Sequence, residues 1–188
     1  MKRFAKRAVQ GCFVIYALPA AALCGFGRVQ LLFTFFAQCF ACLPGFVGSF
    51  ARAAFYRLTL ESCSIDMAMG LGSYFSRSQA VVGANVSIGS YCIIGKVHIG
   101  ARSQISSHVE IPGGRSQHVR DENGRLSDTV EESGGILTIG EDCWIGASAV
   151  VMASVGSQST IGAGSVVVRD IPAGVTAVGV PAKPLQNP

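Results

Sequence analysis

The chain has 188 residues and a net charge of +4, a length that allows one principal domain with an appendage. Its charge is divided so unevenly that the net value is not a nucleic-acid-binding signature. Residues 1–60 hold Lys2, Arg3, Lys6, Arg7, Arg28, Arg52 and Arg57 and no acid, whereas the remainder carries eight basic and eleven acidic residues; the basic charge flanks apolar segments instead of forming a patch on the larger part.

The first elements in the chain are two uncharged stretches, Gly11–Gly27 and Val29–Ala51, rich in Phe, Leu, Ala, Val and Cys. The second is long enough to cross a hydrocarbon core of about 30 Å as a helix, while the first contains Pro19 and is marginal. Residues 1–60 therefore read as an apolar, basic, helical segment that associates with a membrane. A single crossing by Val29–Ala51 leaves the N-terminus inside and exports the larger C-terminal part; a hairpin, a re-entrant pair or an interfacial pair keeps both ends cytoplasmic. The expected location is the cytoplasmic face of the inner (plasma) membrane. Two alternatives are a helical pair packed on the end of the C-terminal domain and a signal peptide cleaved near Ala20-Ala21-Ala22. The seven cysteines, Cys12, Cys24, Cys39, Cys42, Cys63, Cys92 and Cys143, are dispersed and odd in number, which fits small buried residues better than a disulfide framework.

Residues 61–188 are organised by a repeat of six. An aliphatic residue, usually followed by Gly, recurs at Val82-Gly83, Ile88-Gly89, Ile94-Gly95, Ile99-Gly100, Ile105 and Ile111, and again at Ile139-Gly140, Ile145-Gly146, Val151, Ile161-Gly162 and Val167. Six is neither the helical nor the strand period. It suits a short flat strand and then a turn of about a third of a circle, so that three faces close one coil. The aliphatic residues stack inside the prism, coil on coil; Gly at the corners supplies positive backbone angles or room for close approach. Val86, Cys92, Ser103 and Val109 occupy fourth positions. Two intervals depart from six: Ile94 to Ile99 is five residues, and Val151 to Ile161 is ten where two repeats need twelve. The second is expected to shorten one coil. An ordinary β-sandwich would instead alternate with period two.

Between the two runs, residues 112–138 read as an exposed polar loop, and a long excursion from an economical coil is more often functional than accidental. Its histidine, His118, can act as a general base toward an acceptor hydroxyl or amine; the competing reading is a solvated loop histidine. His108 lies at an outward position near the root of the loop, and His98 at a surface or corner position. Glu110, Asp121 and Glu122 are all candidates to orient His118, and the sequence does not choose among them.

The repeats, the loop histidine, Cys143-Trp144-Ile145-Gly146, the run Ile161 to Val167, Arg169-Asp170-Ile171-Pro172 and Gly179-Val180-Pro181-Ala182-Lys183 together resemble the hexapeptide-repeat acyltransferases. The likeness covers about residues 65–185 and points to the branch of maltose, galactoside, xenobiotic and exopolysaccharide acetyltransferases. The resemblance implies an all-β, left-handed parallel β-helix, a homotrimer with sites between subunits, and acetyl-CoA as co-substrate with no metal. It places His118 at the catalytic histidine, His108 at a position that contacts the acceptor, and Trp144 at the aromatic that closes the site near the thioester. Ala147, Ala163, Val168, Arg169 and Lys183 match positions lining the CoA groove. The function so implied is O-acetylation of a sugar in a polysaccharide or lipid-linked glycan. The alternatives are a non-catalytic β-helix scaffold and a zinc-dependent γ-type carbonic anhydrase, which shares the fold and would draw on His98, His108 and His118.

Overall fold

The computed structural model describes residues 2–113, 123–125 and 136–185. His118, Asp121 and Glu122 lie outside them, with most of the loop. The chain opens with three helices, α1 (Lys2–Leu23), α2 (Gln30–Ala41) and α3 (Gly45–Thr59). The apolar stretch Val29–Ala51 is therefore not one helix. Pro44, extended at φ −81° and ψ 163°, caps the start of α3, and a proline favours the first turn of a helix while ending the one before it. No helix among the described residues is long and apolar enough to cross a membrane, which removes the single crossing from the topologies open to Val29–Ala51.

Helix α3 is the centre of the N-terminal unit. Ala51, Ala53, Ala54, Phe55 and Tyr56 are all buried, with Phe33 and Phe40 of α2 stacked on Phe55 at 5.9 and 4.8 Å and Tyr56 edge-on to Phe75 at 4.9 Å. Arg52 lies fully buried among them and faces carbonyls only. Its Nε and Nη2 donate to Met69 O at 3.1 and 2.9 Å, and Nη1 donates to Phe40 O at 2.9 Å and Leu43 O at 2.8 Å. The carbonyls at and just past the end of α2 have no partner within the helix, so one rigid guanidinium fork joins the end of α2 to the first coil of the C-terminal domain. Burial lowers the Arg52 pKa.

That domain is a left-handed parallel β-helix of about five turns. Coil one is β1 (Ser62–Cys63), β2 (Ala68–Met69) and β3 (Tyr74–Phe75); coil two is β4 (Val81–Val82), β5 (Ser87–Ile88) and β6 (Ile93–Ile94); coil three is β7 (Val97–Ile99), β8 (Gln104–Ile105) and β9 (Glu110–Ile111). Coil four is β10 (Leu137–Ile139), β11 (Trp144–Ile145) and β12 (Val150–Val151); coil five continues with β13 (Thr160–Ile161) and β14 (Val166–Val167), and β15 (Thr176–Val178) and β16 (Lys183–Pro184) close the end. The first face is β1, β4, β7 and β10, extended by bridges through Val155 and Ile171; the second runs from β2 to β15 with β16 antiparallel at its edge; the third is β3, β6, β9, β12 and β14.

The register corrects three details of the sequence reading. Inward residues begin at Cys63, Met69 and Phe75, a coil before Val82, and Val155 is the inward residue hidden between Val151 and Ile161. Spacing across the first and second corners is six in every coil. All irregularity falls at the third corner, where the chain passes to the next coil: seven residues from Phe75 to Val82, five from Ile94 to Ile99, four from Val151 to Val155 and four from Val167 to Ile171. The excursion after Ile111 leaves from the same corner. No coil loses a face.

The glycines also serve differently. The positive backbone angles of the first and second corners are carried by residues three places after the inward one: Asn85, Tyr91, Arg102, His108, Asp142, Ser148 and Gln158, with φ between 55° and 61° or, for Arg102, 62°. The repeat glycines themselves give close approach, since a Cβ on Gly146 would stand 2.5 Å from Ala163 N and one on Gly83 would stand 2.6 Å from Ala101 N. Fourth-position serines stitch the coils. Ser103 Oγ donates to Gly140 O at 2.8 Å and accepts from Cys143 N at 3.1 Å; Ser73 bridges Gly89 O and Cys92 N in the same way.

Candidate active site

The second corner, between the second and third faces, forms a column along the prism. Each corner is tied to the one before it: Tyr91 N donates to Leu71 O at 2.9 Å, His108 N to Ser90 O at 2.9 Å, Ser148 N to Ser107 O at 3.1 Å and Gly164 N to Ala147 O at 2.8 Å. Gly72, Tyr91, His108, Ser148 and Gly164, all at positive φ, are thus successive rungs of one ladder. Their side chains give the edge its relief. Tyr91 lies over Gly72, where a Cβ would collide with its ring, and stacks on His108 with centroids 5.4 Å apart. Beyond His108 the edge drops to a floor of Ala147, Ser148, Ala163 and Gly164.

Trp144 stands on the second face between Gln104 and Thr160. It is 57% exposed and its indole Nε1 donates to Ser106 Oγ at 3.2 Å, the residue that opens the corner of His108. The amides of Ala147 and Ala163 have no acceptor among the described residues. An aromatic wall, a floor of small exposed residues and outward amides therefore meet on one edge. Such an edge can seat an elongated ligand and offer N–H donors to a developing oxyanion.

The other residues singled out by sequence lie elsewhere. Val168 and Arg169 sit in the shortened third corner, across the third face from Ala163, where Asp170 Oδ1 accepts from Ser154 N at 2.9 Å. Lys183 pairs with Val178 at the last edge of the second face. His98 is in mid-strand on the first face, between Val81 and Thr138, and its Nε2 is buried with no partner among the described residues. Glu110 is exposed on the third face. Among the described residues no group of three His, Cys, Asp or Glu stands close enough to hold a metal ion.

Residues 136–169 match the family described as the hexapeptide repeat of succinyl-transferase. The chain is 44% identical over 53 residues to galactoside O-acetyltransferase of Escherichia coli, covering 27% of this chain and 26% of that one. It is 49% identical over 51 residues to 2,3,4,5-tetrahydropyridine-2,6-dicarboxylate N-acetyltransferase of Clostridium perfringens, covering 26% and 22%. The crystal structure of a maltose O-acetyltransferase from Clostridium difficile superposes with a TM-score of 0.63 at 20% identity, over 84% of this chain and 87% of the other. Residues 136–169 carry the hexapeptide repeat of that family, and the fold is that of the maltose O-acetyltransferase.

The chain spans about a quarter of the length of the curated relatives it matches. The segment that matches the family model contains Trp144, Ala147 and Ala163, the part of the edge beyond His108. Tyr91 and Ser106 are the members that the sequence reading missed. The signal was present: Tyr91 precedes His108 by seventeen residues, the length of that coil, but the relation shows only once corner lengths are known. A cavity of about 570 Å³ opens at the other end, lined by Gln10, Gly11, Val14, Arg57, Leu58 and Ile65. It lies against the first coil, away from this edge, and has no titratable pair suited to acid–base work.

Proposed function

We propose that the chain is an acetyl-CoA-dependent O-acetyltransferase acting on a sugar of a polysaccharide or lipid-linked glycan, assembled as a homotrimer. The observation that carries this reading is the second-corner edge, where Ala147 and Ala163, one coil apart, form a low floor with unpaired amides beside the Tyr91–His108 wall. A pantetheine arm needs that kind of floor, narrow and lined by small residues with N–H donors. The names of the relatives, sugar O-acetyltransferases among them, support the reaction type.

In the mechanism His118 removes the proton of the acceptor hydroxyl as that oxygen attacks the thioester carbonyl. The carbonyl oxygen, now negative, accepts hydrogen bonds from outward amides. The carbon–sulfur bond then breaks, and the thiolate of CoA takes the proton back from the imidazolium. Acetyl ester and free CoA are the products, with no covalent enzyme intermediate. His108 contacts the acceptor and Trp144 screens the thioester from water. Val168, Arg169 and Lys183 stand beyond this edge, so their contact with CoA requires the ligand to reach past the third face or toward the last coil.

Titration calorimetry with acetyl-CoA and a transfer assay with glycan acceptors test the reading together. Wild-type protein is expected to bind acetyl-CoA, and His118→Ala to lose about 10²–10⁴-fold in transfer while keeping that affinity. Near-wild-type transfer by the variant would remove His118 from the mechanism. Failure to bind CoA would leave the β-helix as a scaffold.

A further inference from the structure

Helices α1 and α2 are apolar on both sides. Their inner faces, with Ala17, Ala21, Phe33 and Ala37, are buried in the core. The outer stripe of α1 carries Cys12, Ile15, Tyr16, Pro19 and Leu23 at spacings of three and four, all exposed, and that of α2 carries Leu31, Leu32, Phe35 and Cys39. Phe46, at the start of α3, is 86% exposed and Leu31 80%. A surface helix normally turns its polar side outward, and one that is apolar all round has a second apolar environment.

We infer that the outer face of α1 and α2 docks in the plane of an anionic lipid surface, without crossing it. Charge selects this occupant. Residues 1–60 contain seven cations and no acid. Arg52 is buried; of the others, Lys2, Arg3, Lys6 and Arg7 fall in the first turns of α1, and Arg28, between the helices, and Arg57, on α3, are exposed. A second copy of the chain would bring like charges together across that face, whereas anionic headgroups neutralise them. No helix among the described residues is long and apolar enough to cross; a helical segment with an exposed apolar stripe, several cations and no acid has the composition of an interfacial helix. Because α3 and α2 pack on the first coil, docking sets the prism on the lipid with Tyr91 one coil further on. The inference deepens the view of a membrane-borne acceptor but does not depend on acetyl transfer.

Flotation of the full chain with vesicles of phosphatidylcholine, alone or mixed with phosphatidylglycerol, tests it. Binding is expected to be at least tenfold stronger to the mixed vesicles and to weaken with salt, and those vesicles should protect Cys12 and Cys39 from a maleimide. The double substitution Leu31→Gln and Phe35→Gln should reduce flotation at least tenfold while circular dichroism and acetyl-CoA affinity stay unchanged. Absence of flotation, or equal binding by the variant, overturns the inference. So does protection of the cysteines without vesicles together with a change of sedimentation mass in the variant, which would assign the face to another copy of the chain. Loss of CoA affinity in the wild type would count against the proposed reaction and leave the docking result standing.

Discussion

The imidazole of His108 lies nearly parallel to the ring of Tyr91, with centroids 5.4 Å and planes 16° apart, because the two residues hold the same positive-φ position in consecutive coils. The stack fixes the ring of His108 at the end of the small-residue floor. Removing Tyr91 frees that ring without touching the floor, and ring pairs contribute about 0.5–1.5 kcal/mol. Tyr91→Ala is expected to lower kcat/KM for the acceptor by about 3–10-fold and to leave the KM for acetyl-CoA unchanged. Steady-state kinetics with each substrate varied in turn check it; an equal effect on both would mean that the stack only supports the fold.

Ser103 is buried and joins two coils through Gly140 O and Cys143 N. Ser103→Ala leaves both backbone groups without this partner inside the prism, at a cost of about 1–3 kcal/mol. Urea denaturation should show a lower midpoint with an unchanged slope.

Arg52 presents a second, larger dependence. Arg52 donates to the Met69, Phe40 and Leu43 carbonyls from a buried position, and Phe40 O keeps a backbone donor, Leu43 N, without it, so Arg52→Leu is expected to cost about 3 kcal/mol or more. Arg52→Lys keeps the charge but not the fork and should recover less than half of the loss. Thermal melts monitored at a helical wavelength will separate the two variants.

Cysteine chemistry divides by burial. Cys12, Cys39 and Cys42 are exposed, whereas Cys24, Cys63, Cys92 and Cys143 are buried. Burial raises the thiols of Cys92 and Cys143 and pushes Cys63 from 9.0 up to about 12. Three thiols per chain should therefore react quickly with a disulfide reagent at neutral pH, and the buried ones only on unfolding.

The same shift has a sign in pH. The unfolded Cys63 thiol ionises near 9.0 and the folded one not until about 12. Its contribution to stability is thus complete below the lower value and is lost as pH rises between the two. Cys63→Ala should flatten the alkaline fall in unfolding free energy measured over that window. An unaltered fall would assign it to other groups, Tyr56 among them, whose hydroxyl burial also pushes up.

Much of this molecule was legible in its residues. The inward positions from Val82 to Val167 were found by period alone, since each hexad must bury its own side chain whatever its neighbours do. Cys63, Met69 and Phe75 escaped because the first coil, packed under the helices, uses sulfur-containing and aromatic side chains in place of the β-branched ones that mark the others. Val155 escaped because the third corner is shorter there. Among the candidate site residues, His108, Trp144, Ala147 and Ala163 come together on or beside one edge, while Val168 and Arg169 fall on another. Of the topologies open to Val29–Ala51, the single crossing helix is removed near Pro44, which lies between the end of α2 and the start of α3.

The amino-acid order alone therefore established a triangular coil, its inward residues and an apolar, basic lead segment, since periodicity and charge are local properties. Which residues share an edge is a different matter. First and second corners repeat strictly, each held by an amide bonded to the preceding coil, but the third corner varies from four to seven residues before the long excursion is counted. Stacking, and not spacing, brings Tyr91 onto His108 and Ala147 beside Ala163, and folding of the lead segment into short helices turns an apolar stretch into an exposed face.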